Sequence, residues 1–170
     1  MEDLAKKISQ YQLFNFLLSG TILAFLISKT TPFDLLFDNL LLGIFVYYFM
    51  GFIASRVGSL LIEPLYKFLR IIKFIPYDKY LAASKRDAKI DTLSQENNTY
   101  RTLIAMLIVY VTIYVLCLWL GEEFLRQEWV IVSSSVLLII LLSLAYRKQT
   151  KYIVARANST TNKNNQKKSK

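Results

Sequence analysis

Four long apolar segments separated by polar stretches dominate the pattern of this chain. They cover residues 11–28, 39–55, 100–120 and 129–146. Each has a length close to the roughly 20 helical residues that cross the hydrocarbon core of a bilayer. Because a helix satisfies its own backbone hydrogen bonds inside lipid, the pattern predicts four transmembrane helices and an all-α, four-helix membrane bundle.

The first apolar segment is the most polar of the four and has a second interpretation, as a secretory signal peptide. Its apolar stretch is long for the hydrophobic region of a signal peptide. No A-x-A-like cleavage site follows it before Lys29. Both features favour a retained transmembrane helix.

The second apolar segment carries signals for where its helix starts and ends. Thr31, Pro32 and Asp34 are residue types favoured at the N-cap, the first and the third helical positions. They predict a helix over residues 32–62 that contains the second span. Pro64 predicts a break directly after it, because proline lacks the N–H that continues a helix.

Charge orients these helices. The chain is 54% hydrophobic and yet has a formal net charge of +9, so its apolar and basic residues are segregated. Lysine and arginine concentrate in residues 1–10, 63–99 and 147–170, whereas residues 121–128 contain one arginine and three glutamates. The positive-inside rule places both termini and the central connection in the cytoplasm, with 121–128 as an outer loop. We therefore predict a multi-pass protein of the inner (plasma) membrane.

The central connection and the tail contain most of the basic residues. After Pro64, cations recur at spacing three among apolar residues, which predicts a helix in the cytoplasmic interface. The alternative is a helical extension of the second span that packs on protein. The residues predicted to face lipid or a partner are Lys67, Arg70, Lys73, Lys85, Arg86, Lys89 and Arg101. The polar, low-complexity sequence from about residue 157 predicts disorder, with no specific nucleic-acid binding.

Three polar residues in or beside the spans form the candidate intramembrane site: Asn15, Arg56 and Glu63. Arg56 has two interpretations, an anchor that extends to the headgroups or a buried charge that needs a partner. If its helix continues unbroken to Glu63, Arg56 lies almost two turns inside the membrane. Asn15 is then the candidate partner, because Glu63 lies about 10 Å further along the helix axis.

Small residues recur along one side of the second span. Gly51, Ser55 and Ser59 are spaced by four, and Gly58 lies beside them. Such a stripe permits close helix packing in membranes. We interpret it as a packing surface of a homo-oligomer.

The composition argues against an enzyme. The chain has no histidine, which is the commonest metal ligand and general base, and its single cysteine, Cys117, lies in an apolar segment. It has no metal-ligand, phosphate-loop or nucleophile motif. We predict no catalytic residue, no cofactor and no metal site.

Two stretches resemble known membrane proteins. Residues 76–102, PYDKYLAASKRDAKIDTLSQENNTYRT, and 146–156, YRKQTKYIVAR, are similar to small four-span proteins encoded among bacterial defence genes. The membrane subunit of the Kiwa anti-phage system belongs to that broad class. The resemblance covers the topology and these two stretches, and it includes no catalytic motif. It implies a membrane-embedded oligomer that works with a soluble cytoplasmic partner encoded nearby.

Two functions are compatible with these patterns. The first is a non-enzymatic inner-membrane protein that oligomerises and couples the bilayer to a cytoplasmic partner, as a sensor or effector in antiviral defence. The alternative is a small ion channel or transporter. That alternative needs a hydrated path, for which the candidates are Asn15, Arg56, Thr112 and the serines at 133–135.

Overall fold

The computed structural model describes the backbone of residues 2–120 and 129–168, and the side chains of residues 10–120 and 129–161. In these ranges the chain forms helices and the turns between them, without strands. The elements are α1 (Glu2–Thr30), α2 (Leu40–Val57), a π-helical segment (Gly58–Ile62), α3 (Glu63–Phe68), α4 (Tyr77–Ser84), α5 (Lys89–Leu120) and α6 (Trp129–Lys168). The predicted outer loop, with its three glutamates, lies outside the described residues.

Four helical stretches are long and apolar enough to cross a membrane, which confirms the predicted all-α, four-span fold. They are Gln10–Thr30, Leu40–Phe68, Lys89–Leu120 and Trp129–Thr161. Large apolar side chains on their outer surfaces are exposed, as Leu41 (81%) illustrates. A contiguous apolar exterior of this kind is stable against lipid hydrocarbon and not against water.

The centre of the bundle is α5, which packs against α1, α2, α4 and α6. Two apolar clusters fill the membrane part. The cluster between α1, α2 and α5 contains Leu23, Ile27, Ala54, Met106, Leu107 and Tyr110. The cluster between the second span, α5 and α6 contains Ile62, Tyr66, Ile72, Ile104, Ala105 and Tyr146.

α1 and α2 approach each other closely at a reciprocal glycine contact. A Cβ atom added at Gly20 would lie 2.8 Å from the backbone nitrogen of Gly51 and 2.6 Å from the carbonyl carbon of Tyr47. A Cβ atom added at Gly51 would lie 2.6 Å from the carbonyl carbon of Phe16. Both helices therefore need glycine at this contact, because each obstructing atom belongs to the backbone.

The start of α2 differs from the sequence prediction, since the helix begins at Leu40 and not at residue 32. The side chain of Asn39 is the N-cap and accepts hydrogen bonds from the N–H groups of Leu41 and Leu42. Thr31 instead ends α1, where its hydroxyl donates to the Ile27 carbonyl. The intervening residues form no helix, and side chains satisfy part of their backbone, for example Ser28, whose Oγ accepts from the N–H of Leu35 at 2.7 Å.

The end of the second span also differs from the prediction, because Pro64 does not break the helix. The N–H of Glu63 donates to the Gly58 carbonyl five residues back, the pattern of a π-helix. The ring of Pro64 follows this widened turn, which separates it from the carbonyl that it would strike in a regular α-helix. The helix continues to Phe68, so the expected separate interfacial helix is an extension of the second span.

Outside the four apolar segments of the sequence, parts of three helices form a small compact unit. We call it the platform: α4, the turn that follows it, the first part of α5 up to residue 99, and residues 147–161 of α6. Its core consists of Ala83, Ile90, Ile153 and Ala157. Disorder was expected from about residue 157, whereas α6 continues to Lys168. The burial of the Ala157 side chain in this core accounts for helical structure at the start of the polar tail.

An ion pair closes the platform. The guanidinium of Arg156 donates from Nε and Nη2 to the two carboxylate oxygens of Asp87, at 2.5 and 3.1 Å. This hydrogen bonding lowers the pKa of the Asp87 carboxyl below its ordinary value. Because the pKa of this carboxyl is lower in the folded than in the unfolded protein, the stabilisation by the contact is fully present above the pKa of the unfolded state. It is lost as the pH falls through the pKa of the folded state.

Candidate functional site

Polar side chains concentrate where the spans meet the platform, and two neighbouring cavities open there. We call this region, the residues lining the two cavities, the polar junction. The cavities measure about 240 and 490 Å³. Their shared wall contains Tyr80, Ser94, Asn98 and Arg101.

An ion pair between the second span and α5 lies at the centre of the polar junction. Arg101 donates from Nη1 to Oε2 of Glu63, and the Lys67 Nζ lies 2.7 Å from Oε1 of the same carboxylate. The side chains of Arg101 and Glu63 are 16% and 20% exposed, so water screens this pair poorly. Lys67 is 49% exposed and contributes less. The pair joins the second span to α5.

This arrangement changes the assignment of Arg101, which the sequence predicted to face lipid or a partner. Its side chain points inward, and its Nε has no hydrogen-bond partner in the described part of the chain. Sequence reasoning missed the pairing with Glu63 because the two residues are 38 positions apart. One signal was present: Glu63 follows the second apolar segment and Arg101 begins the third, so both lie at the same membrane boundary.

Arg56 is separate from that pair, although the helix continues past it to Glu63. Its side chain is exposed and lines the smaller cavity. The guanidinium carbon lies 5.1 Å from the centre of the Phe52 ring, a cation–π contact. Among the described residues, no acid forms an ion pair with it. The interpretation of Arg56 as an anchor at the headgroups stays a prediction.

Asn15 connects α1 to α5 and is not a partner of Arg56. It is 4% exposed, and its Nδ2 lies 3.4 Å from the Thr102 hydroxyl, a long hydrogen bond. Its Oδ1 accepts no hydrogen bond from the described residues. One turn earlier, the Tyr11 hydroxyl meets the Gln95 carbonyl and the Thr99 hydroxyl. Sequence reasoning did not single out these α5 residues, because their hydroxyl and amide groups have no motif.

Further hydrogen bonds connect the platform to this region. The Tyr80 hydroxyl of α4 donates to Ser94 at 2.9 Å and contacts Asp91 at 3.2 Å, both on α5. Burial raises the pKa of Tyr80, so its hydroxyl remains a neutral donor at physiological pH. On α6, the Thr150 hydroxyl donates to Oδ1 of Asn97 at 3.3 Å, and Asn97 lines the larger cavity. The polar junction is therefore bonded to every helix of the platform.

The small-residue stripe of the second span is occupied within the chain, which corrects its assignment to an oligomer interface. Gly51 is buried against α1, and Ser55 is buried as well. A Cβ atom at Gly58 would lie 3.2 Å from the Arg101 carbonyl, so this glycine faces α5. Ser59 is partly exposed, and its hydroxyl donates to the Arg56 carbonyl at 2.9 Å. The predicted homo-oligomer therefore has no support from this stripe.

The remaining predicted cations are on outer surfaces. Lys85, Arg86 and Lys89 are exposed on the platform. Arg70 and Lys73 are exposed beside a cleft of their own, away from the ion pair.

Comparison with known proteins gives no relative for this chain. No protein-family model matches it, and neither does any curated protein or solved structure. The fold and the site therefore define the class of protein by themselves. It is a helical membrane protein of four candidate spans with a charged and polar junction at one end.

Proposed function

We propose that this is a non-enzymatic membrane protein that couples the bilayer to a soluble partner bound at the platform. The observation that carries the proposal is the continuity of α5 and α6 from the apolar spans into the platform. They contain 32 and 40 residues, which correspond to about 48 and 60 Å of helix. Both lengths exceed the roughly 30 Å of the hydrocarbon core, so each helix belongs both to the membrane spans and to the platform.

The polar junction makes this connection stiff. The Glu63–Arg101 pair holds the second span on α5, and the Tyr80 hydrogen bonds hold α4 on the same helix. A change in bilayer thickness changes the tilt of transmembrane helices. Because two of the three platform helices are extensions of spans, that tilt moves the platform and alters the surface it presents.

The charge of the platform defines the partner that it fits. The platform contains eight lysine and arginine residues and four acids. A partner with an acidic surface is attracted to it and is oriented by it. The excess of lysine and arginine at this end of the bundle supports the proposal that the platform faces the cytoplasm.

A channel or transporter has less support in a single chain. The cavities of the polar junction lie at one end of the bundle. Further along the spans, the space between α1, α2 and α5 is occupied by the cluster around Leu23, Met106 and Leu107. A hydrated path would have to form between several copies.

Affinity capture of the tagged protein tests the proposed coupling. After extraction in mild detergent, we expect a soluble protein to be captured with the tagged chain at a fixed stoichiometric ratio. Mass spectrometry identifies that protein, and the native mass of the complex gives the ratio. The double variant Lys85→Glu/Lys89→Glu should reduce capture at least tenfold, because it reverses two exposed platform charges. Lys29→Glu, an exposed reversal at the opposite end of the first span, is the control and should leave capture unchanged.

Two results would overturn the proposal: wild-type protein that emerges without a soluble partner, or equal capture by both variants. The identity of the captured protein also tests a role in antiviral defence, which we propose from the resemblance to four-span defence proteins. A partner encoded in a neighbouring defence gene supports that role. A partner with a housekeeping activity argues against it.

A further inference from the structure

A cleft lined by four cations lies between α6 and the turn that follows α3. We call it the basic cleft; its volume is about 530 Å³. Its charged side chains are Arg70, Lys73, Arg147 and Lys151, and no acidic residue lines it. Ile71, Ile72 and Val154 provide an apolar floor.

The four cations are not neutralised by neighbouring acids. All four side chains are exposed. The ion pairs formed by the described residues involve other cations: Lys67, Arg101 and Arg156. Like charges that converge on one cleft repel one another, and a bound anion removes that cost. Two of the four are arginines, whose planar forks bind phosphate oxygens in pairs.

The backbone holds Arg70 at this cleft in a conformation that arginine disfavours. Its φ is 56°, in the left-handed region. The N–H of Arg70 donates to the Lys67 carbonyl, and the N–H of Ile71 donates to the Tyr66 carbonyl. These two bonds define a Schellman motif, in which the left-handed position is usually glycine. Glycine would thus form this turn at a lower cost than arginine, so the turn itself does not explain why an arginine is present.

The location of the cleft identifies the nearest source of anions. Arg147 follows directly after the fourth apolar segment, and Arg70 lies just past the end of the second span. Both therefore lie at the membrane boundary, at the level of the lipid phosphates. Basic residues at this depth attract anionic lipids, and an apolar floor suits the glycerol and upper acyl chain of a lipid.

We propose that the basic cleft binds the phosphate group of an anionic phospholipid. The recognised chemistry is a phosphate ester, so soluble phosphate compounds are the competing source. The inference is independent of the cytoplasmic partner, because the cleft is formed within one chain. Its effect is to hold the end of the second span against α6, so that lipid composition influences the platform.

The test is lipid binding to the full chain. Delipidated protein in mild detergent is titrated with phosphatidylglycerol and, separately, with phosphatidylcholine, and bound lipids are counted by native mass spectrometry. We expect at least tenfold tighter binding of phosphatidylglycerol. Arg147→Gln should weaken it about fivefold, the effect of one basic residue near an anionic surface. Lys148→Gln, the adjacent exposed lysine outside the cleft, should change it less than twofold.

Arg70→Gly separates lipid binding from folding. Because glycine suits the left-handed conformation, we expect an equal or higher midpoint of thermal unfolding together with about fivefold weaker phosphatidylglycerol binding. Equal binding of the two lipids, or equal losses in Arg147→Gln and Lys148→Gln, would overturn the proposal in favour of diffuse charge attraction. Displacement of bound lipid by millimolar glycerol phosphate would overturn it in favour of a soluble phosphate ligand.

Discussion

Gly51→Ala is expected to destabilise the bundle by about 3 kcal/mol, the upper end of the usual cost of overpacking. The added methyl group would lie 2.6 Å from the carbonyl carbon of Phe16 and 2.7 Å from the Ser19 hydroxyl oxygen. The Phe16 atom belongs to the backbone of α1, so no rotamer change relieves the contact and the helices must separate. Unfolding in mild detergent, followed by heat or denaturant, measures the loss.

Gly43→Ala is the matched control, because it makes the same substitution in the same helix. There the nearest atom belongs to the Tyr47 ring, at 3.3 Å, the far end of a flexible side chain. Alanine favours helix over glycine by up to about 1 kcal/mol, so we expect little change or a small gain in stability. Equal effects of the two substitutions would show that α1 and α2 do not make the close contact at Gly51.

Arg101→Met is expected to cost about 3 kcal/mol of stability, more than any other single change at the polar junction. It leaves the mostly buried carboxylate of Glu63 with only the half-exposed Lys67 as its partner. Removing one member of a poorly hydrated pair costs several kcal/mol, because an uncompensated charge remains in a low-dielectric site. The free energy of unfolding in detergent, measured for the single and double variants, isolates this interaction.

The double variant Glu63→Gln/Arg101→Met should be more stable than Arg101→Met alone, because no buried charge of the pair is then left uncompensated. Lys67 also loses its partner Glu63 in this variant, but its side chain is half-exposed and hydrated. Lys67→Met should lose less than about 1 kcal/mol, as exposed ion pairs do. If the effects of the two single substitutions add in the double variant, the pair is not coupled and the polar junction is not held together by it.

The membrane spans were predictable from the sequence because hydrocarbon imposes a simple length rule on apolar helices. The exact ends of the second span were not, because contacts distant in sequence decide them. Thr31 and Pro32 gave a local signal for the start of α2, but the N-cap of that helix is Asn39. The Thr31 hydroxyl instead donates to the Ile27 carbonyl at the end of α1. Pro64 continues the helix because a π-helical turn precedes it, and no residue pattern announces that turn.

The candidate site was predictable in part. Glu63 and Asn15 were identified from their polarity in an apolar setting, and both lie in the polar junction. The partner of Glu63 was not identified, since Arg101 occurs among many basic residues of one connection. The stripe of small residues was recognised, but its partner, Gly20 on α1, was not. In both cases the sequence shows that a residue needs a neighbour, and only the fold shows which neighbour.

The orientation of the bundle underlies the proposed coupling, because a cytoplasmic partner can reach the platform only from inside. Impermeant maleimide labelling of right-side-out membrane vesicles tests it, in a background where the single cysteine, Cys117, is replaced by alanine. Cysteine is placed at two exposed positions, Asp38, just before the second span, and Lys85, on the platform. We predict that Asp38→Cys is labelled in sealed vesicles and that Lys85→Cys is labelled only after permeabilisation. Labelling of Lys85→Cys in sealed vesicles would place the platform outside the cell and contradict the proposed coupling.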